Sequence, residues 1–95
     1  MIIELETISK ATGIAVSDIT GKKRHHSISD ARTIAVMCLK MRLPSDKIVK
    51  VFNFHPSAIT WHVKKYRKFV KNNDAKFMEL INIINFNNIG NQLVI

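Results

Sequence analysis

The sequence predicts an all-α protein, a compact bundle of about five to six helices that contains a helix-turn-helix. Apolar residues recur at spacings of three and four through most of the 95 residues, as on the buried face of a helix. Hydrophobic residues make up 46%, enough for one modest core. No segment before the last few residues alternates with the two-residue period of a strand. We predict one helical domain over residues 1–85 and an Asn-rich apolar tail over residues 86–95.

The chain opens with two helical segments of unequal length. The first is predicted over residues 2–12, and Gly13, which follows, provides its C-terminal stop. A single turn of helix follows within residues 14–20, with Ser17 and Asp18 as its expected caps. Both segments carry apolar residues that can anchor them to a common core.

A third helix is predicted to run from an N-cap at Ser27 or Ser29 to about Arg42. Residues 34–39 are apolar nearly all round, which indicates a buried central helix on which the others pack. Cys38 lies in this run and, as the single cysteine, can form no internal disulfide. We therefore predict that Cys38 is a small core residue and that the protein lies in a reduced, cytoplasmic compartment.

Residues 45–71 have the spacing of a helix-turn-helix. Ser45 is the expected N-cap of its first helix, and Pro56 suits the first turn of the second. The apolar positions of the second helix are Ile59, Val63, Tyr66 and Val70, and its opposite face carries Ser57, Thr60, Trp61, Lys64 and Lys68. Groups that can bind base edges come first and cations that can bind phosphates follow, as is typical of a recognition helix in the major groove. The alternative is an ordinary helical hairpin with a solvated lysine face.

The balance of charge favours a polyanionic partner. Fifteen Lys and Arg residues against seven Asp and Glu give a net charge of +8. Nucleic acid is the first candidate and an anionic membrane surface is the second. The loop Lys22-Lys23-Arg24-His25-His26 holds five consecutive residues that are or can become cationic. Such side chains can follow a phosphate backbone or enter a narrow minor groove, although a merely solvated loop has a similar composition.

A last helix is predicted after the helix-turn-helix. Residues 72–74 form a turn with a helix cap, and the helix runs from Ala75 to about Ile84. Its expected inward positions are Phe77, Leu80, Ile81 and Ile84. The tail beyond can pack on the core, pack on another subunit or fray, and we expect a monomer or a weak dimer.

Metal binding and catalysis are not predicted. The residues that could hold zinc, His25, His26, His55, His62 and Cys38, show none of the usual ligand spacings. The carboxylates Asp18, Asp30, Asp46 and Asp74 are expected on separate helix caps rather than in one constellation. No apolar run reaches the roughly 18 residues needed to cross a bilayer, and the start of the chain lacks the pattern of a secretory signal. We expect a non-enzymatic protein with no cofactor, no metal and no membrane attachment.

The opening helix, the segment GIAVSDITGKKRHHSISDARTIAVMCLK and the helix-turn-helix together resemble a known family. They are similar to the C-terminal DNA-binding domain (domain IV, with a Trp-repressor-like helix-turn-helix) of the bacterial replication initiator DnaA. The resemblance covers about residues 5–84 and is most specific over residues 16–40. It implies that Arg24 enters the minor groove of the DnaA box, a short asymmetric AT-rich site. The family positions near the DNA backbone are matched by Lys22, Lys23, Arg32 and Lys40.

The start of the recognition helix departs from that family. Its hallmark, Arg-Asp-His-Ser/Thr-Thr-Val, is replaced here by Phe54-His55-Pro56-Ser57-Ala58-Ile59. Pro56 can offer a base only an apolar contact, for instance to a thymine methyl. The resemblance therefore implies fold and DNA binding but not the target sequence. No GxxxxGK[ST] loop is present, so we expect no ATPase activity.

The sequence thus predicts sequence-specific binding of double-stranded DNA by a stand-alone regulator of replication or transcription that competes or cooperates with a host initiator. The predicted DNA-binding residues are Lys22, Lys23, Arg24, His25, His26, Arg32, Lys40, His55, Pro56, Ser57, Ala58, Thr60, Trp61, Lys64, Lys65 and Lys68. The alternative is a basic interaction module that docks on an acidic protein or an anionic membrane.

Overall fold

The computed structural model describes residues 2–84, which form six α-helices and contain no strand. The helices are α1 (Ile3–Thr12), α2 (Val16–Ile19), α3 (His26–Lys40), α4 (Ser45–Phe52), α5 (Ser57–Lys71) and α6 (Ala75–Ile84). The all-α prediction is confirmed, and the number of helices falls in the expected range. The predicted tail over residues 86–95 lies outside the described residues.

Helix α3 is the centre of the fold, as its all-round apolar run predicts. It packs against each of the other five helices. Ile34, Val36 and Leu39 are fully buried on it, and so is Cys38. Burial raises the pKa of the Cys38 thiol to about 12, so the group stays neutral and serves as an apolar filler.

An ion pair joins α1 to the segment that follows α3. Glu4 is buried, and its two carboxylate oxygens accept hydrogen bonds from Arg42 Nε at 2.8 Å and from a terminal guanidinium nitrogen at 2.9 Å. The hydrogen bonds from Arg42 hold the pKa of Glu4 below its usual value. Such a two-point contact fixes orientation as well as distance.

The N-caps predicted for three of the helices are wrong. Helices α2, α3 and α4 begin at Val16, His26 and Ser45, and none has a side-chain hydrogen bond at its N-cap. Ser45 is therefore the first helical residue, because Pro44 before it has the extended backbone (φ −70°, ψ 159°) that ends the preceding segment. In α3 the serines at 27 and 29 both lie inside the helix.

Two other predicted boundaries are confirmed. Gly13 ends α1 in the left-handed conformation at φ 75°, and its N–H donates to Ser9 O. At the start of α6, Asp74 Oδ1 accepts a hydrogen bond from the Phe77 N–H at 3.0 Å. None of the helices within residues 2–84 is long and apolar enough to cross a membrane.

Candidate nucleic-acid interface

Helices α4 and α5 are joined by a turn of four residues, 53–56. Asn53 takes the left-handed conformation (φ 51°, ψ 49°) that asparagine tolerates better than most residues, and this reverses the chain after α4. His55 then supports the start of α5, because its Nδ1 accepts a hydrogen bond from the Ser57 N–H at 3.1 Å. The same nitrogen lies 2.9 Å from Ser57 Oγ. His55 and Ser57, both predicted DNA-binding residues, are thus also part of the helix start.

The inner face of α5 includes a histidine that the apolar pattern did not mark. Ile59 and Tyr66 are buried as predicted, and His62 is buried between them. Its Nδ1 lies 2.8 Å from Thr33 Oγ1, whose hydroxyl can donate to Ser29 O at 3.1 Å. That arrangement favours the tautomer in which Nδ1 carries the proton. Burial lowers the pKa of His62 to about 4, with smaller contributions from nearby cations, so the ring is neutral at physiological pH.

The outer face of α5 is a stripe of exposed side chains. It consists of Ser57, Thr60, Trp61, Lys64, Arg67 and Lys68. Trp61 is 56% exposed, and its ring meets the edge of His62 at a centroid distance of 4.9 Å. Arg67 was not among the predicted residues, although its spacing of seven from Thr60 places it on this face. The helical period alone could have identified it.

The basic loop is held at its start by the tight backbone at Gly21 and by two side-chain contacts. A Cβ on Gly21 would lie 2.8 Å from Ser17 O, so the loop leaves α2 at a distance that only glycine allows. Lys22 Nζ donates a hydrogen bond of 2.6 Å to Asn53 O in the helix-turn-helix turn. Lys23 Nζ lies 3.2 Å from Asp18 Oδ1. Asp18, a predicted cap, serves as an ion-pair partner instead.

The loop and α5 form one surface. A groove that we call the basic groove is lined by Arg24, His26, Ser29, Asp30, Trp61, Lys64, Lys65, Lys68 and Phe69. Arg24 and Trp61 also line an adjoining groove with Lys22 and Phe54. On the other side of α5 a third groove is lined by residues that include Lys40, Pro56, Thr60, Lys64 and Arg67. The outer face of α5 therefore lies between cations contributed by two different parts of the chain.

Lys65 is held inside this surface. Its Nζ lies 3.0 Å from Asp30 Oδ1 and donates to Ser29 Oγ at 3.0 Å. The side chains of Lys65 and Asp30 are only 12% and 8% exposed. The ammonium also lies 5.3 Å from the Trp61 ring centroid and 5.5 Å from that of Phe69. Asp30 is therefore not a helix cap, and the Lys65 ammonium is paired within the protein, while its contact with DNA stays a prediction.

Two further predicted residues are only partly accessible. Arg32 Nε donates to Ile19 O at 2.8 Å, and a terminal nitrogen donates to Asp18 O at 3.0 Å. Arg32 thus satisfies carbonyls at the C-terminal end of α2, and burial lowers its pKa. Ala58 is half-buried on α5. The remaining predicted interface residues are exposed: Lys22, Lys23, Arg24, His25, His26, Lys40, His55, Pro56, Ser57, Thr60, Trp61, Lys64 and Lys68.

Comparison with known proteins identifies the relationship. No protein-family model and no solved structure matches the chain. The chromosomal replication initiator protein DnaA of Campylobacter curvus (strain 525.92) is 31% identical over 74 residues, an alignment that covers 74% of this chain. The chain is a distant homologue of DnaA. It spans 17% of the length of that DnaA protein. The resemblance to DnaA drawn from the sequence is therefore confirmed.

Within residues 2–84, no group of three His, Cys, Asp or Glu side chains is placed to hold a metal ion. Among these residues, the surface around α5 offers hydrogen-bonding groups, cations and the exposed ring of Trp61.

Proposed function

We propose that this DnaA homologue binds double-stranded DNA in a sequence-specific manner. In this proposal α5 lies in the major groove and Arg24 enters an adjacent minor groove. The protein acts in the cytoplasm, without ATPase activity of its own, on replication or transcription, and competes or cooperates with a host initiator. The kinship with a replication initiator supports a DNA partner, while the target sequence follows from none of these observations.

The observation that carries the proposal is the common surface of two elements that are distant in sequence. Arg24 belongs to the loop between α2 and α3, whereas Lys64 and Lys68 belong to α5, yet all three line the basic groove. Arg24 forms no hydrogen bond or ion pair with any of the residues 2–84, so its guanidinium is available to a ligand. Like charges placed together in this way repel one another unless a polyanion is bound.

The arrangement around α5 matches the needs of a helix in the major groove. Cations are present on both flanks, with Lys68 on the side of the basic groove and Lys40 and Arg67 on the other. Phosphates border the major groove on both sides, so each flank would meet one strand. Thr60 is exposed and lines the groove that holds Lys40 and Arg67, where its hydroxyl can hydrogen-bond a base edge.

A selection from randomised duplexes tests the proposal directly. The full chain is incubated with the pool at moderate salt, and the retained DNA is sequenced. Enrichment of one short motif is the expected result. Comparison of that motif with the DnaA box shows whether His55 and Pro56 keep or change the DNA sequence that the family binds. Retention without enrichment contradicts sequence-specific reading. Absence of retention at low salt, with binding to anionic vesicles or an acidic protein, would establish the alternative function.

Replacement of Lys64 by methionine should weaken binding to all duplexes alike. If about six phosphates are neutralised, log K falls against log salt with a slope of about −5, and the loss of one contact makes that slope shallower by about 0.9. Lys10→Met is the matched control, because Lys10 is exposed on α1 and lines none of the grooves around α5. Titrations at four salt concentrations measure both slopes. Equal slopes for the two variants would contradict a phosphate contact at Lys64.

Replacement of Arg24 by alanine should change preference as well as affinity. A guanidinium in a narrow minor groove responds to the width that AT-rich DNA imposes, so preference for AT pairs beside the α5 site should decline. The selection is repeated with Arg24→Ala, and with Lys23→Ala as a loop control. Unchanged motifs and affinities for Arg24→Ala would exclude the minor-groove role.

A further inference from the structure

We infer that Lys22 is a positioning residue, which sets the basic loop against the helix-turn-helix, rather than a phosphate contact. The inference rests on the proposed function and concerns how the basic loop is positioned relative to α5. It revises the expectation that Lys22 lies on the DNA backbone.

The contact itself joins segments that are 31 residues apart. Lys22 Nζ donates a hydrogen bond of 2.6 Å to Asn53 O. Asn53 is the C-cap of α4, where the helix dipole presents its negative end and favours a cation. A charged donor also forms a shorter and stronger hydrogen bond than a neutral one. The ammonium of Lys22 therefore has a defined partner on the protein.

The Lys22 contact lies where it can hold the basic loop close to the turn before α5. The loop is fixed on one side by the Gly21 N–H, which donates a hydrogen bond of 3.2 Å to Asp18 O. On the other side, the Lys22 hydrogen bond ties it to the turn that starts α5. Arg24 follows two residues later and shares the adjoining groove with Lys22, Phe54 and Trp61. Lys22 thus sets the separation between Arg24 and the recognition helix before any DNA is bound.

Prior placement of Arg24 should increase affinity because less ordering is left to the binding step. Loss of Lys22 should consequently reduce the benefit that Arg24 provides, without the loss of a phosphate contact. This pattern differs from that of a residue that contacts DNA on its own account.

A double-mutant cycle tests the inference with the full chain and the duplex enriched in the selection. Lys22→Met should weaken binding by roughly threefold to tenfold, the effect of one surface hydrogen bond. In the Arg24→Ala background the same change should have almost no effect. Lys22→Arg keeps a cationic donor and should restore most of the affinity. Lys10→Met, at an exposed position that lines none of the grooves around α5, is the control for removal of one positive charge.

The salt dependence separates the two roles. Lys22→Met should leave the slope of log K against log salt unchanged, whereas loss of a phosphate contact makes it shallower by about 0.9. Multiplicative losses in the cycle, together with a shallower slope, would overturn the positioning role and return Lys22 to the DNA backbone. Circular dichroism of each variant verifies that the helices remain intact. A wild-type chain that binds no duplex contradicts the proposed function itself, which is a different result from a wild type that binds and a cycle without coupling.

Discussion

Replacement of Lys65 by methionine should destabilise the fold by about 3 kcal/mol, although the sequence predicted this residue as a DNA contact. The change leaves the Asp30 carboxylate, whose side chain is 8% exposed, without its partner 3.0 Å away. It also removes the cation that contacts Trp61 and Phe69. An isolated buried charge is costly because neither water nor a counter-ion stabilises it. Urea denaturation followed by circular dichroism measures the change.

The double variant Asp30→Asn, Lys65→Met distinguishes this explanation from a simple loss of packing. Because it removes both charges, it should recover a substantial part of the lost stability. Lys68→Met is the matched control, since Lys68 is exposed three residues further along α5, and its stability should change by less than about 0.5 kcal/mol. A Lys65→Met variant with unchanged stability and weakened DNA binding would show that Lys65 is a phosphate contact after all.

Stability should also fall by about 3 kcal/mol between pH 7 and pH 4 because of His62. Burial lowers its pKa to about 4 in the folded protein, whereas the unfolded chain has a value near 6.5. In that interval the unfolded state binds more protons, so stability is fully present above pH 6.5 and is lost as pH falls towards 4. The expected slope approaches 1.36 kcal/mol per pH unit in the middle of the window.

The variant His62→Asn tests that assignment. Its amide can replace the Nδ1–H that faces Thr33 Oγ1 but cannot take up a proton. Its overall stability should be lower, yet its dependence on pH between 7 and 5 should be much weaker. His25→Asn is the control, because His25 is exposed and should leave the wild-type slope intact. Below that range the salt-bridged Glu4, whose pKa is lowered, contributes its own loss of stability. Equal slopes for wild type and His62→Asn would contradict a buried neutral ring.

Local patterns were sufficient for most of the helical framework. The apolar run at 34–39 identified α3 as the buried centre because a helix that is hydrophobic all round has no face to give to water. Gly13 and Asp74 marked helix ends, since each acts through backbone geometry or a hydrogen bond within a few residues. Ser17, Ser27 and Ser45 failed as caps because the cap position depends on where the preceding segment turns, which a single side chain does not determine.

Most residues of the candidate nucleic-acid interface could also be predicted from the sequence, but the roles of its cations could not. The sequence by itself determined a bundle of about five to six helices, a strong excess of basic residues and the kinship with DnaA. Only the tertiary structure decided that Lys22 is bonded to Asn53 O, that Lys65 is paired with Asp30 and that His62 is buried against Thr33. Each of these contacts joins residues 29 to 35 positions apart. Helical periodicity reports only on neighbours three or four residues away, so it cannot tell a lysine that faces DNA from one that faces a carboxylate on another helix.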